Sequence, residues 1–177
     1  GKLIQRIWPP FGANAANWLY SYDGNGRLTS VEDKLDSTTL SGRKLVFAYR
    51  SNPGQFDDGQ LWRIGDQDST NLSTSPTGRY VEFTYTPQKN NGVTIASPKA
   101  LLNTVRDARG NVWTYKYYGQ VAGQNNANQL DFMIEILSPS VDTTGDGAAD
   151  GTLSLESLTY TTSGATITNI TRGQGNS

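Results

Sequence analysis

Apolar and polar residues alternate along much of the chain. In Gly42-Arg-Lys-Leu-Val-Phe-Ala-Tyr49, every second position from Leu45 to Tyr49 is apolar or aromatic. Gly78-Arg-Tyr-Val-Glu-Phe-Thr-Tyr85 and Gly110-Asn-Val-Trp-Thr-Tyr-Lys-Tyr117 repeat this pattern. A period of two lines up Leu45, Phe47 and Tyr49, then Val81, Phe83 and Tyr85, then Trp113, Tyr115 and Tyr117, each set on one face of a strand. The intervening Tyr80, Glu82 and Thr84, or Val112, Thr114 and Lys116, form a mixed face expected to meet water.

A second pattern precedes each of these aromatic segments. It reads Gly26-Arg-Leu-Thr-Ser-Val-Glu-Asp33, Gly59-Gln-Leu-Trp-Arg-Ile-Gly-Asp66 and Ala100-Leu-Leu-Asn-Thr-Val-Arg-Asp107, with apolar residues at the third and sixth places and Asp last. Leu28/Val31, Leu61/Ile64 and Leu102/Val105 are three apart and would fall on opposite faces of a regular strand. A β-bulge or a strong twist is needed to bring them together. Asp107-Ala-Arg-Gly110 is a short turn, so each unit reads as a β-hairpin. The connectors 33–42 and 66–78 are rich in Ser, Thr, Asp and Asn and read as exposed loops.

Weaker copies flank the clear ones. Ala15 to Tyr22 fits the aromatic segment with Ala for Gly, Lys2 to Pro9 fits the other loosely through Ile4 and Ile7, and Asp131 to Ser138 fits it through Met133 and Ile136. Leu153 to Tyr160 fits poorly, because Glu156 stands where an apolar residue belongs. Ala13 to Tyr20 and Gln120 to Glu135 are the best helical stretches, but they lack a sustained 3.6-residue period. Lone hairpins are marginal in water. The expectation is therefore an all-β fold over residues 1–177: about five tandem antiparallel β-hairpins joined into an extended, twisted and spiralling sheet, with an Asp/Gly-rich insertion at 138–152.

Composition narrows the chemistry. The chain has 177 residues, 15 Lys and Arg against 16 Asp and Glu, and neither Cys nor His. Thiolate and imidazole chemistry is thereby excluded: no disulfide, zinc-thiolate site, Ser-His-Asp relay or histidine switch. Scattered basic residues and a net charge of −1 argue against a nucleic-acid partner. The longest apolar run, Leu45 to Tyr49, is far short of the roughly 20 residues of a membrane helix, so no membrane span is expected. A start at Gly1 without Met and a soft Gly-Gln-Gly-Asn-Ser end read as a piece of something longer.

The stretch Tyr20-Ser-Tyr22-Asp23-Gly24-Asn25-Gly26-Arg27-Leu28-Thr29-Ser30-Val31-Glu32-Asp33 resembles the YD repeat of the Rhs family, shared with the B/C components of insecticidal Tc toxins and with teneurins. Leu102 to Asn111 and Trp113 to Tyr117 carry similar signatures. The residues that mark the repeat are Tyr22, Asp23, Gly26, Asp33, Tyr49, Gly59, Asp66, Tyr85, Asp107, Gly110 and Tyr117. Only the first copy keeps the literal Tyr-Asp dipeptide; Arg50 and Thr86 follow Tyr49 and Tyr85. The resemblance implies a non-catalytic structural role: successive hairpins wind into a hollow shell which, in bacterial members, encloses a toxic C-terminal domain. It also implies a secreted, injected or cell-surface setting. The partners would be neighbouring repeats of the same chain and the enclosed toxin domain. The rival expectation is a cell-surface adhesion module whose aromatic sheet face binds glycan or protein.

Four constellations outside the bare repeat call for chemistry. Asp142, Thr144, Asp146 and Asp150 hold positions 1, 3, 5 and 9 of a calcium loop, Gly147 supplies its turn, and Ala148 offers a carbonyl. Leu153 occupies the place of the bidentate Glu, so a polar hairpin turn is the competing account and Ca²⁺ the only candidate cofactor. Trp18, Trp62, Trp113 and the tyrosines suit sugar stacking, although aromatic residues at period two ordinarily pack a half-buried face. Asp33, Asp66 and Asp107 recur once per repeat, as strand-end caps do, rather than as the unlike pair a glycosidase needs. Arg27, Arg43, Arg79 and Arg109 follow the same spacing and are expected to form ladders with Asp of neighbouring hairpins. Unpaired sheet edges at the two ends are expected to recruit other chains or to fray.

Overall fold

The computed structural model describes residues 5–7, 17–34, 40–124, 126–141, 144, 148–161 and 166–173, and among them every regular element is a strand. In chain order these are β1 (Gln5–Ile7), β2 (Asn17–Tyr22), β3 (Leu28–Lys34), β4 (Leu40–Tyr49), β5 (Leu61–Gly65), β6 (Tyr80–Pro87), β7 (Lys89–Asn90), β8 (Val93–Thr94), β9 (Ala100–Arg106), β10 (Val112–Tyr117), β11 (Met133–Leu137), β12 (Ser154–Tyr160) and β13 (Ile167–Arg172). The contacts divide the chain into two compact units. In the first, made of Gly1–Arg50 and Leu61–Val81, strands β1 to β5 pair antiparallel in sequence order. In the second, made of Ser51–Gln60 and Glu82–Ser177, the ladder runs β6-β9-β10-β11-β12-β13, also antiparallel throughout. The short β7 and β8 form a separate ribbon.

The register explains the apolar residues three apart. Ser21 faces Ser30, but Tyr22 faces Leu28, so the ladder skips Thr29. Tyr49 faces Leu61 across a skip of Trp62, Tyr85 faces Leu102 across Asn103, and Tyr117 faces Met133 across Ile134. Two residues on one strand thus oppose one on the other, which is a β-bulge. The extra residue turns a spacing of three into an effective spacing of two. Leu28 and Val31 therefore stand opposite Tyr22 and Tyr20 on one face, and Leu61 and Ile64 opposite Tyr49 and Phe47. Leu102 and Val105 match Tyr85 and Phe83; Met133 and Ile136 match Tyr117 and Tyr115. Directly opposed side chains in an antiparallel pair share a face and contact one another.

A fifth copy lies where the sequence match is poor. Thr159 faces Asn169 and Tyr160 faces Ile167, skipping Thr168, while Leu158 faces Ile170. Leu158 and Tyr160 thus take the places of Phe47 and Tyr49, and Ile167 and Ile170 those of Leu61 and Ile64. Glu156 is the one departure, standing opposite Ile136 where Leu45 faces Val31 and Trp113 faces Val105. The loose match at the other end does not hold. Arg6, not Ile7, is opposite Trp18, so β1 sits one residue out of the repeat's register, and a one-residue slip exchanges the faces of a strand. Ile4 lies outside the described residues.

Two pairs of successive hairpins are stitched through tyrosine. The Tyr49 hydroxyl donates to the carbonyl of Leu28 at 2.8 Å, and the Tyr160 hydroxyl to the carbonyl of Met133 at 2.7 Å. Both acceptors open the apolar pair of the preceding hairpin. The Tyr160 ring also packs on Phe132, with centroids 4.8 Å apart. Burial raises the pKa of Tyr49, Tyr117 and Tyr160. The hydroxyl of Tyr117 makes no comparable bond among the described residues. Burial is otherwise shallow: Ala48, Leu72, Leu101 and Leu130 are the buried apolar residues, and no large side chain is fully enclosed among those described.

One hydrogen bond of this kind contributes about 0.5–1.5 kcal/mol. Tyr49→Phe and Tyr160→Phe should each lower stability to urea by about that amount, while Tyr117→Phe should be close to neutral. No loss at Tyr49 and Tyr160 would mean that ring packing, not the hydroxyl, joins the hairpins, and an equal loss at Tyr117 would mean that the effect does not come from these two bonds.

Candidate functional site

The recurring Asp residues close turns. Asp23 Oδ1 accepts from the backbone N–H of Asn25 (3.0 Å) and Arg27 (2.8 Å), and Oδ2 from Arg27 Nε (2.7 Å). Asp107 repeats this: its Oδ1 accepts from the N–H of Arg109 (2.8 Å) and Asn111 (2.9 Å), and its Oδ2 from Asn111 Nδ2 (2.8 Å). The N–H of Asp23 reaches the Arg27 carbonyl and that of Asp107 the Asn111 carbonyl, both at 2.9 Å. Between them Gly26 and Gly110 hold φ of 81° and 93°, a left-handed geometry that other residues adopt at a cost.

At Asp66 the same turn carries an insertion. Its Oδ1 accepts from the N–H of Asp68 at 3.1 Å, and its Oδ2 from Arg79 Nε at 3.0 Å, with Gly78 at φ 80°. Residues 67–77 are extra chain held inside the clamp. Arg63 pins them: it is buried, and its guanidinium donates to the Leu72 carbonyl at 2.7 Å while lying 3.6 Å from the centre of the Trp62 ring. Gly65 leaves room for the insertion, since a Cβ there would stand 2.5 Å from Ser69 Cβ. Asp33, also buried, accepts from the exposed Arg43 across the β3–β4 connection. Arg43 and Arg79 thus bind Asp33 and Asp66 across the connections that lead from one hairpin to the next, as the spacing led one to expect, whereas Arg27 binds Asp23 inside its own hairpin. Arg27 does reach the next hairpin by another route, with its guanidinium 4.7 Å from the Tyr49 ring centre. Arg109 contributes only its backbone to the Asp107 turn.

These bonds favour the carboxylate form. For Asp23 the N–H of Arg27 leads, followed by its side chain; for Asp107 the Asn111 side chain leads; both pKa values fall below the usual carboxylate range. At Asp66 burial is the largest single influence and acts upward, but Ser69, the Asp68 N–H and Arg79 together outweigh it and the net direction is down. Glu135 is lowered chiefly by Lys116, 2.7 Å away.

The remaining sequence candidates are dispersed. Trp62 is covered by Arg63 and by Arg50, whose guanidinium lies 4.4 Å from the ring centre, and Trp62 Nε1 is buried with no acceptor among the described residues. Trp113 is half-buried opposite Val105. Trp18 is exposed and, with Val31, Arg43, Lys44, Leu45 and Asp66, lines a groove of about 220 Å³ in the first unit. In the second unit a groove of about 350 Å³ is bordered by Thr86, Asn103, Thr114, Gln120, Gln124 and Glu135, with Glu135 its one carboxylate among the described residues. Sequence reading did not find this groove, because its polar residues follow no periodic pattern.

Of the candidate calcium ligands, Asp142 and Asp146 lie outside the described residues, as does Gly147. Thr144 Oγ1 donates to Asp150 Oδ2 at 2.7 Å, Ala148 is exposed, and the neck of the loop is tied where Val141 N–H meets the Gly151 carbonyl at 2.7 Å. No group of three or more acidic side chains placed to hold a metal occurs among the described residues. A scan against protein-family models finds no match to the chain, and a search of curated proteins finds none either.

Two outcomes follow. Because the folded Asp23, Asp66 and Asp107 bind protons less readily than the unfolded chain, their stabilisation is complete above the ordinary carboxylate pKa of about 4 and is lost as pH falls through and below it. Asp107→Asn keeps the acceptor oxygen but not the charge, so its urea midpoint should change less between pH 6 and pH 3 than that of the parent; an unchanged pH response would contradict the clamp. Arg63→Ala should cost about 1.5–3 kcal/mol, the usual worth of a hydrogen bond to a charged group, and open residues 67–77 to protease. Unaltered proteolysis of that loop would mean that Arg63 does not pin it.

Proposed function

We propose that the chain is a non-catalytic stretch of wall from an Rhs/YD-repeat shell, working by shape within a longer secreted or injected protein. The observation that carries the reading is the register, in which five hairpins place a tyrosine opposite an apolar residue immediately beside a bulge. A catalytic site needs one arrangement unlike the rest. Here Asp23, Asp66 and Asp107 are engaged in similar turn clamps, and Asp33 and Glu135 in ion pairs. Uniform units suit a surface built by repetition, in which each repeat contacts mainly its neighbours.

The adhesion reading keeps one supporting feature, the groove beside exposed Trp18, where an aromatic edge, Arg43, Lys44 and Asp66 could meet a sugar ring. Trp62 does not support it, being covered by two guanidinium groups.

Electron microscopy of the intact protein that contains this sequence, combined with limited proteolysis, tests the proposal. The expected result is a hollow particle with an enclosed segment that resists protease until the wall is opened by heat or acid. A particle with no internal space, or with all segments cut at the same rate, would remove the enclosure. Glycan-array binding that disappears with Trp18→Ala would replace it with adhesion.

A further inference from the structure

The strand β13 ends the ladder of the second unit, pairing with β12 and with no other described strand. All six of its residues are exposed, with Ile167 at 45% and Ile170 at 48%. Their equivalents Leu61 and Ile64, Leu102 and Val105, and Met133 and Ile136 are all half-buried. Three junctions between hairpins show what normally lies beyond such a strand. Val31 is met by Leu45, Val105 by Trp113 and Ile136 by Glu156, in each case the start of an alternating segment that ends four residues later in Tyr49, Tyr117 or Tyr160. Two of those tyrosines donate to the carbonyl of Leu28 or Met133, the position that Ile167 occupies in β13.

We propose that the outer edge of β13 is a receptor for one more β-strand of the form apolar-x-aromatic-x-Tyr. Its first residue would sit opposite Ile170, and its tyrosine hydroxyl would bond the Ile167 carbonyl. The occupant is fixed by continuity with the existing junctions, of which Leu45–Tyr49 and Trp113–Tyr117 have this form and Glu156–Tyr160 keeps its closing tyrosine: the incoming strand is antiparallel, covers Ile167 and Ile170, and satisfies the backbone groups of β13 that no described strand pairs. The bulge at Thr168 is no guard against pairing here, since β3, β9 and β11 carry the same bulge and still pair on their outer side. The sequence Ile167-Thr-Asn-Ile-Thr-Arg172 contains no proline, and its only charge is at the far end. This inference rests on the reading of the chain as one stretch of a repeating sheet, but not on any enclosed cargo.

The probe is a second copy of residues 40–65, the β4–β5 hairpin, appended after Ser177 through a flexible Gly/Ser linker, which holds it at high effective concentration. Amide exchange is then followed along β13. The amides not bonded to β12 should slow by about tenfold or more relative to the parent chain. Replacing Tyr by Phe at the position copied from Tyr49 should return part of that protection, and Ile170→Lys should remove nearly all of it. Exchange as fast as in the parent, or protection indifferent to Ile170→Lys, would overturn the proposal. Protection by the appended hairpin in a protein whose particles are not hollow would leave a sheet that extends without enclosing. A hollow particle with no such protection would keep the wall and discard this receptor edge.

Discussion

A single inserted residue per hairpin governs this chain. Strands of period two cannot place residues three apart on the same face, yet the chain carries such pairs again and again. Skipping Thr29, Trp62, Asn103, Ile134 or Thr168 resolves the conflict. Each skip brings an apolar residue against the tyrosine that closes the hairpin, and bulges of this kind also strengthen local twist. Without the bulge, half of every apolar pair would turn to the opposite face, and the hairpins would lose their shared surface.

Polar groups then fix what the bulge permits. The Asp23–Arg27 clamp ties the turn, Arg27 lies against Tyr49 of the next hairpin, and the Tyr49 hydroxyl returns to Leu28. Turn, neighbour and strand are thus linked by three contacts, each modest by itself. Such contacts matter here because the apolar core is thin: among the described residues the buried hydrophobic ones are few, and the aromatic rows are only half covered. Directional bonds supply register where packing alone would leave slack. The same logic explains tolerance of insertion. Asp66 and Arg79 close the turn of Asp23 and Arg27 around a much longer loop, with Arg63 holding the surplus down.

Much of the architecture was legible because alternation and turn chemistry are local. Phe47, Phe83 and Tyr115, opposite Ile64, Val105 and Ile136, stand where their spacing puts them. The need for a bulge could also be read from Leu28 and Val31, though not which residue would be skipped. Arg43 and Arg79 meet the Asp residues that the spacing assigns them, but Arg27 turns to Asp23 of its own hairpin, since spacing alone does not tell a contact within a turn from one between hairpins. Glu156, a charge at an apolar place, disguises the Leu158–Tyr160 copy in the sequence, whereas Ile167 and Ile170, again three apart, mark it. Arg63 and the polar grooves were invisible beforehand, because they depend on loops folding back over strands.

The most direct measurement is the pattern of cross-strand backbone proximities in solution, read by nuclear Overhauser effects between Hα and amide protons. Close contacts should join Tyr22 to Leu28, Tyr49 to Leu61, Tyr85 to Leu102, Tyr117 to Met133 and Tyr160 to Ile167, with the skipped residue unpaired in each hairpin. Regular ladders in which these tyrosines face Thr29, Trp62, Asn103, Ile134 and Thr168 instead would contradict the account.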